Sequence, residues 1–515
     1  MKLAALIPSE LAASTPVDAA AVEVTALAYD SRAVAPGALF FCVPGLRSDG
    51  HDFAPAAVRA GAAALVVERP LGLGVPEVLV ADARAAMGPV AARFFGDPTA
   101  ELAVVGVTGT NGKTTTAFLV RALLQASGLP CGLLGTVTSV VGGVERAAAR
   151  TTPEAIDLQA DFRAMLAGGE CACAMEVSSH ALALGRTDGT RFAAAIFTNL
   201  TQDHLDFHST MEDYFQAKRR LFLPDARAER EPAAAGFVNR TATSAPGVSV
   251  INLDDPYGRR LAAELPDALT FAIDRGADYR ALDVRLGPDG AHLHLQTPVG
   301  ERSLSLPLRG RFNVANALGA LAAAHALGGE LDTLLAALAQ GVRVPGRFEP
   351  VDEGQDFAVL VDYAHTPDSL ENVLHAARQL IDADARLLCV FGAGGDRDRG
   401  KRPLMGAIAA RLADVAIVTS DNPRSEDPDA IIAEILDGTA GARALGMPPV
   451  SSIADRRTAI EHAIAVARTG DLVLIAGKGH EQGQELTDGH KIPFDDLTVA
   501  REALHARAAA TGASA

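Results

Sequence analysis

The feature that most constrains this chain is the stretch at residues 104–116, VVGVTGTNGKTTT, where an apolar run breaks into a glycine-rich turn carrying one lysine and a run of threonines. Such a turn lets successive backbone N–H groups converge on a polyphosphate, at the start of a helix whose dipole favours anions. The helix follows at once as AFLVRALLQ (residues 117–125). Lys113 is placed to reach the outer phosphates and Thr114 to offer its hydroxyl to Mg²⁺, with Gly109, Thr110, Asn111, Gly112 and Thr115 completing the cradle. The strict P-loop spacing would place glycine at position 107, where Val107 stands, so the motif is a variant. A strand, this turn and a helix in that order require an α/β unit.

The length of 515 residues suggests about three domains, and a hydrophobic content of 49% is ample for several cores. Lys and Arg number 46 against 63 Asp and Glu, a net charge of −17, which leaves a nucleic-acid partner no electrostatic footprint. Five cysteines scattered along the chain argue for a reducing compartment. Cys171 and Cys173 in ECACAMEV read as small core residues on one face of a strand. The amino-terminal MKLAALIPSELAAS is interrupted by Pro8 and Glu10, which makes a poor signal peptide, and no apolar run reaches the ~18 residues of a membrane span. A cytoplasmic location is expected.

Residues 1–98 read as a small α/β unit with strands in VTALAYDSR, ALFFCVPG and LVVE and a helix in AAVRAGAAA. Ser31, Arg32 and the turn at Leu46, Arg47 and Ser48 are polar groups at strand ends, suited to an anionic ligand or simply to solvent. From 99 to 345 strand and helix alternate, which predicts a parallel sheet with helices on its faces. Glu176 and the Asp203-His204 pair then fall near its carboxyl edge, where open α/β sheets bind ligands. An acidic residue there suits a second magnesium ligand or its waters. His204 and His208 in DHLDFH lack a third soft ligand at a useful spacing for zinc; His204 reads as magnesium-side. Residues 226–245 read as an exposed loop. Asn316, ahead of an Ala/Leu helix, reads as a cap or as a residue facing the nucleotide.

Residues 346–515 repeat strand, polar loop and helix four times, with loops at 362–365, 394–401, 421–424 and 477–481. Carboxyl-edge geometry gathers them on one rim, facing the cradle across a cleft. The terminal ALHARAAATGASA is expected to fray.

With TGTNGKTTT, MEVSSHAL, TNLTQDHLDFH, NVANAL, PGRFE, DYAHTPDSL, GGDRDRGKRPLMG, DNPR and AGKGHE in order, essentially the whole chain resembles the Mur ligases of peptidoglycan synthesis. The resemblance implies three α/β domains: 1–98 for a UDP-sugar, a central P-loop ATPase-like domain at 99–345, and a Rossmann-like domain at 346–515 for an amino acid. It implies an ATP- and Mg²⁺-dependent amide ligase acting on UDP-N-acetylmuramoyl-L-alanyl-D-glutamate through an acyl phosphate, a monomer with small-molecule substrates only. ATP contacts carry over to Asn316, Arg347 and Asp362, with His365 in the same loop. UDP-substrate contacts carry over to Ser31, Leu46, Arg47, Ser48, Thr151, Thr152, Ser178 and Arg186. The catalytic set becomes Lys113, Glu176, His204 and Lys218, the last as an N6-carboxylysine that holds metal with Thr114, Glu176 and His204. Without context Lys218 would read as a surface lysine beside Arg219 and Arg220. DNPR accompanies the diaminopimelate-adding members, so Arg397, Asp421, Asn422, Pro423, Arg424, Gly477 and Glu481 are expected to bind meso-diaminopimelate, with L-lysine as the alternative amino acid. Two positions depart from the pattern of some relatives, Arg150 in place of Asn and Leu184 in place of Gln.

Overall fold

The computed structural model describes residues 1–8, 11–14, 21–45, 48–223, 245–287, 289–441 and 450–512. Three sheets dominate it. The first runs in the order β1-β5-β4-β3-β2, from β1 (Ala12–Ser14), β2 (Ala26–Ala28), β3 (Ala38–Phe41), β4 (Ala64–Val67) and β5 (Glu77–Val80). Strands β2 to β5 are parallel and β1 is antiparallel. Successive side chains of the ALFF strand enter opposite cores, Leu39 and Phe41 one and Ala38 and Phe40 the other, as the period of two demands of a strand covered on both faces. The helix Ala83–Phe94, which starts on an Asp82 side chain accepting from the Ala85 N–H at 2.8 Å, closes one of them.

The second sheet has eleven strands: β6 (Ala103–Thr108), β7 (Cys131–Leu134), β8 (Thr138–Val141), β9 (Val144–Ala147), β10 (Ala172–Glu176), β11 (Phe192–Phe197), β12 (Val248–Asn252), β13 (Leu269–Ala272), β14 (Tyr279–Gly287), β15 (Gly290–Thr297) and β16 (Gly300–Leu306). Its middle, β13-β12-β11-β6-β10-β7, is parallel as expected. Strand β6 lies at the heart: Val105 and Val107 pack with Leu119, Val120 and Leu321 of the helices Lys113–Ala126 and Arg311–Ala326, while Val104 packs with Met175 and Phe197 on the other face. The edges depart from the expectation. Strands β14, β15 and β16 form an antiparallel meander, and β8 and β9 a second antiparallel extension. Residues 279–306 alternate polar and apolar side chains across tight turns with no helical run between them. Such a segment buries one face only.

The third sheet runs β17-β18-β22-β19-β20-β21, from β17 (Glu349–Pro350), β18 (Ala358–Asp362), β19 (Leu387–Phe391), β20 (Val415–Val418), β21 (Ser451–Ser452) and β22 (Leu472–Ala476). All but β17 are parallel, so β18, β22, β19 and β20 release their loops at one edge. A small hairpin, β23 (Gly483–Glu485) and β24 (Lys491–Pro493), follows. Most of the carboxyl-terminal segment expected to fray is helical instead: a helix spans Asp496–Gly512 and buries Val499, Ala500 and Leu504, while residues 513–515 lie outside the described residues.

Cys173 is buried as expected, whereas Cys171 precedes the strand and is half-buried. Among the described residues no helix is long and apolar enough to cross a membrane. Most of the loop expected at 226–245 lies outside the described residues.

Candidate active site

The cradle forms where β6 ends. Gly112 has φ +84°, and a Cβ there would collide with the Asn316 side-chain oxygen, so a glycine is required both by conformation and by contact. Asn316 is therefore no cap: it sits inside the helix Arg311–Ala326, buried against the turn, and donates to Asn313 Oδ1 at 3.1 Å. Lys113 Nζ donates to the carbonyls of Gly109 (3.0 Å) and Thr110 (2.8 Å). Burial lowers its pKa, against the pull of Glu176 and Asp203. The loop is braced from β11 and its sequel, with Thr198 Oγ1 donating to the Asn111 carbonyl (2.6 Å) and Asn111 N–H to Asn199 Oδ1 (2.9 Å).

Glu176 is the last residue of β10 and 1% exposed. Its carboxylate accepts from Thr136 N–H (2.8 Å) and Thr136 Oγ1 (3.1 Å), and the Thr136 hydroxyl meets that of Thr151 at 3.0 Å. Thr152 Oγ1 donates to the Glu176 carbonyl (2.9 Å) and accepts from Ser178 N–H (3.1 Å), while Ser178 Oγ starts the helix Ser179–Ala183. These bonds join the segment after β9 to the end of β10.

Asp203 and His204 lie in the loop after β11. His204 adopts φ +55° and its Nε2 is 3.3 Å from Asp203 Oδ2. Burial, with His180, Lys113 and Lys218 nearby, lowers the imidazole to about 3, so it is neutral at physiological pH. Burial raises the Asp203 pKa, but His204, Lys401 and His365 outweigh that and hold it as a carboxylate. Lys401 Nζ (3.7 Å) and His365 Nε2 (3.9 Å) reach Asp203 from the third sheet. His208, undecided in the sequence, packs on Tyr214 and bonds Ser179 Oγ at 2.9 Å.

Lys218 is not a surface lysine. On the helix Met211–Arg219 it is 1% exposed, and its Nζ reaches Gly109 O (2.8 Å), Thr108 Oγ1 (3.5 Å) and the face of Tyr214 (4.8 Å). No carboxylate pairs with it among the described residues. Burial first, then Lys113, push its pKa well below the ordinary lysine value, in favour of the neutral amine.

A cleft of about 820 Å³ joins these groups. It is lined by Thr110 to Thr115, Thr151, Thr152, Glu176, Ser178, Arg186, His204, Lys218 and Asn316, and from the third unit by Arg347 and Asp362. Arg347 Nη2 donates to Thr114 Oγ1 at 2.8 Å while its guanidinium stacks 4.5 Å from the centre of Tyr363. Asp362 Oδ2 accepts from Phe348 N–H at 2.6 Å; burial lifts its pKa to about 6 despite Arg347. Three arginines, Arg84, Arg150 and Arg186, converge on the buried Glu154 at 3.3, 2.7 and 3.0 Å, giving one side of the cleft a cationic corner. Arg84 and Glu154 escaped sequence reasoning; the i,i+4 spacing of Arg150 and Glu154 was their one local signal.

Other expected residues lie elsewhere. Ser31 and Ser48 do not line this cleft, and Leu46 and Arg47 lie outside the described residues. Arg397, the 421–424 loop, Gly477 and Glu481 do not line it either; they gather on the carboxyl edge of the third sheet. There Gly395 N–H donates to the Asn422 carbonyl (2.9 Å), Gly477 N–H to the Asp362 carbonyl (3.0 Å), and Asn422 Nδ2 to Glu481 Oε2 (2.8 Å). Arg424 pairs with Glu485 (Nε to Oε2, 3.0 Å) and donates from Nη1 to the Gly395 carbonyl (2.7 Å), not with the adjacent Glu426, which Arg402 holds. Arg397 is exposed, its guanidinium on the Asp396 carbonyl.

A lysine-bearing phosphate turn, a buried carboxylate and a second α/β sheet closing the same cleft define a nucleotide-dependent phosphoryl-transfer site. Three family models match in order: the Mur ligase family catalytic domain at residues 23–94, the Mur ligase middle domain at 107–324, and the Mur ligase glutamate ligase domain at 346–479. A UDP-N-acetylmuramoyl-L-alanyl-D-glutamate–2,6-diaminopimelate ligase of Geobacillus kaustophilus is 48% identical over 94% of this chain and 96% of its own. One of Streptomyces coelicolor is 46% identical over 94% and 92%. A solved structure with the same ligase name superposes with a TM-score of 0.63 at 34% identity, covering 94% of this chain and 95% of its own. The chain belongs to the Mur ligase family.

Proposed function

We propose that this enzyme joins meso-diaminopimelate to the D-glutamyl side-chain carboxylate of UDP-N-acetylmuramoyl-L-alanyl-D-glutamate at the expense of ATP, in the cytoplasm and as a monomer. The observation that carries the reading is the single cleft in which Lys113, Glu176, His204 and Lys218 meet Arg347 and Asp362 of the third unit, together with near full-length relatives of that name. In this reading residues 1–98 take the UDP-sugar with Ser31 and Ser48, residues 99–345 take ATP, and residues 346–515 take the amino acid.

Phosphoryl transfer asks mainly for positioning and charge neutralisation. Lys113 exchanges its two carbonyl acceptors for phosphate oxygens, and the turn from Gly109 to Thr115 presents backbone N–H groups to the same anion. Arg347 supplies a second cation, and Asn316 and Asp362 fix the nucleoside side. The cationic corner of Arg150 and Arg186 holds an anionic group of the dipeptide, so its side-chain carboxylate points toward the cradle. The amine then attacks the acyl phosphate and phosphate leaves from the tetrahedral intermediate.

The donor set fits Mg²⁺: Thr114 and Glu176 offer oxygens, His204 is neutral and able to ligate, and Lys218, buried without a carboxylate partner among the described residues, has its pKa pushed down toward the neutral amine that reacts with CO₂. Carbamoylation turns that nitrogen into an oxygen donor of negative charge. When bound, the metal would neutralise charge on the phosphoryl oxygens.

Phosphate release is measured with the UDP-dipeptide and each candidate amino acid in turn. Diaminopimelate should support turnover and L-lysine should be a very poor substrate. Equal use of lysine sinks the specificity reading alone; ATP turnover indifferent to any amino acid sinks the ligase reading.

A further inference from the structure

The rim residues assigned to the amino acid are held from behind by a side chain that has no assigned role. Lys478, the second residue beyond β22, is fully buried, and its ammonium donates to Asn422 Oδ1 at 2.8 Å and to Glu481 Oε2 at 3.0 Å. We infer that Lys478 is a positioning residue that sets the selectivity of the amino-acid site, acting through Asn422 and Glu481. This rests on the function proposed above.

An ammonium has three donors and no acceptor, so Asn422 is obliged to turn its carbonyl oxygen toward Lys478. The backbone N–H of Glu485 donates to that same oxygen at 2.9 Å, fixing the amide a second time. The amide nitrogen therefore faces the other way. One of its hydrogens goes to Glu481 Oε2 at 2.8 Å, and nitrogen rather than oxygen is what Asn422 can offer a ligand. Glu481 is constrained in the same stroke. Its Oε2 is occupied twice, by Lys478 and Asn422, leaving Oε1 for a ligand, and the buried cation offsets its charge.

The consequence is a site with assigned polarity. Asn422 Nδ2 and the Nη2 edge of Arg424 are donors suited to a carboxylate, and Arg424 is itself braced by Glu485. Glu481 Oε1 is an acceptor suited to an ammonium. A carbon bearing both groups, as at the distal end of diaminopimelate, matches that pair; the distal end of lysine offers an ammonium alone. Without Lys478 the amide oxygen keeps only the Glu485 N–H and is held less firmly, and Glu481 regains its full charge beside the site. Both changes disfavour the carboxylate and leave the ammonium unharmed.

The test is steady-state kinetics on the full-length K478M variant, which keeps length and removes the charge. A positioning role raises KM for diaminopimelate about 10- to 100-fold and lowers its preference over L-lysine by a similar factor, as expected for loss of charge-assisted contacts. KM for ATP and kcat at saturating diaminopimelate should change less than about threefold. A purely structural role would move every parameter together and leave the preference unaltered, and that result overturns the inference. If K478M fails to fold, K478Q keeps a neutral donor at that position and removes the charge. It should raise KM for diaminopimelate with KM for ATP unchanged, and an unchanged KM for diaminopimelate overturns the inference. If the wild type turns over a different amino acid, the function proposed above fails; the KM ratio of K478M to wild type for that amino acid still decides the role of Lys478.

Discussion

Lys218 gives the sharpest perturbation. In Lys218→Met the ammonium is lost and the apolar stem is nearly conserved in volume, a swap that costs less than about 1.5 kcal/mol where packing alone is at stake. The lost bonds, one at 2.8 Å and one at the 3.5 Å limit, go to neutral acceptors and are worth about 1 kcal/mol each. Against them stands the relief of desolvating a cation that has no carboxylate partner among the described residues, which acts in the opposite direction. The fold should therefore survive, with a melting temperature within a few degrees of wild type or above it. Activity should not survive. Removing one preorganised electrostatic group from a charge-stabilising site typically costs about 10²–10³ in kcat, and Lys218→Ala should regain part of it with acetate or formate in the assay. The acid limb carries a sign. Burial holds the folded-state pKa below the ordinary lysine value, so the reactive neutral amine is present above that folded pKa and lost as pH falls through it. Activity at low pH should thus respond to added bicarbonate in the wild type and not in Lys218→Met. A folded Lys218→Met enzyme retaining more than about a tenth of wild-type kcat would refute the reasoning.

Lys113→Ala should abolish phosphate release and leave the circular dichroism spectrum unchanged, since its partners are two loop carbonyls that water can satisfy; substantial turnover would remove the cradle from the chemistry. Arg424→Ala should lower kcat/KM for diaminopimelate by about 10²-fold, the cost of a charge-assisted contact, and change the trace rate with lysine far less; competition assays separate the two. Burial lowers His208 to about 4 and His480 to about 3, so each stays neutral in the folded state where the unfolded chain binds a proton. Their contribution to stability is intact above about pH 6.5 and is lost as pH falls toward those folded values. Thermal melts between pH 7 and 5 should show it as a falling midpoint, and His208→Gln should flatten the slope.

The cradle was legible because it is local. A strand, a turn that needs Gly112 at positive φ and a helix are contiguous, and their chemistry needs no distant partner to be recognised. The four carboxyl-edge loops were legible for a related reason, since parallel strands must release them on one side. What stayed hidden depends on partners far apart in the chain. Lys218 sits beside Arg219 and Arg220, and nothing in that run tells which one faces inward; the helix places Lys218 under Thr108 and Gly109, about a hundred residues earlier. Arg424 has Glu426 and Asp427 close by in sequence, yet its side chain pairs with Glu485, sixty-one residues on. The meander of β14 to β16 was missed for another reason. The alternation was present in the sequence, but the strand and helix rhythm around it set the expectation.

The contacts between the second and third units terminate on the groups that the reaction would use. Arg347 donates to Thr114, Asp368 accepts from Asn111 at 2.6 Å, and Lys401 and His365 both approach Asp203. A phosphate chain entering the cradle would compete for the same partners: it would draw the Arg347 cation and leave the Thr114 hydroxyl free to hold a metal. Arg347 would then exchange a neutral acceptor for an anionic one, which its planar fork can meet with two parallel bonds. Asp203 keeps its carboxylate throughout, because His365 and Lys401 come from the third unit and are not ligands of the nucleotide in this scheme. Nucleotide entry therefore rewrites the contacts at the cradle and leaves those at Asp203 standing. The amino-acid loops are thus tethered to the phosphoryl-transfer centre at a fixed point while the arginine changes its partner.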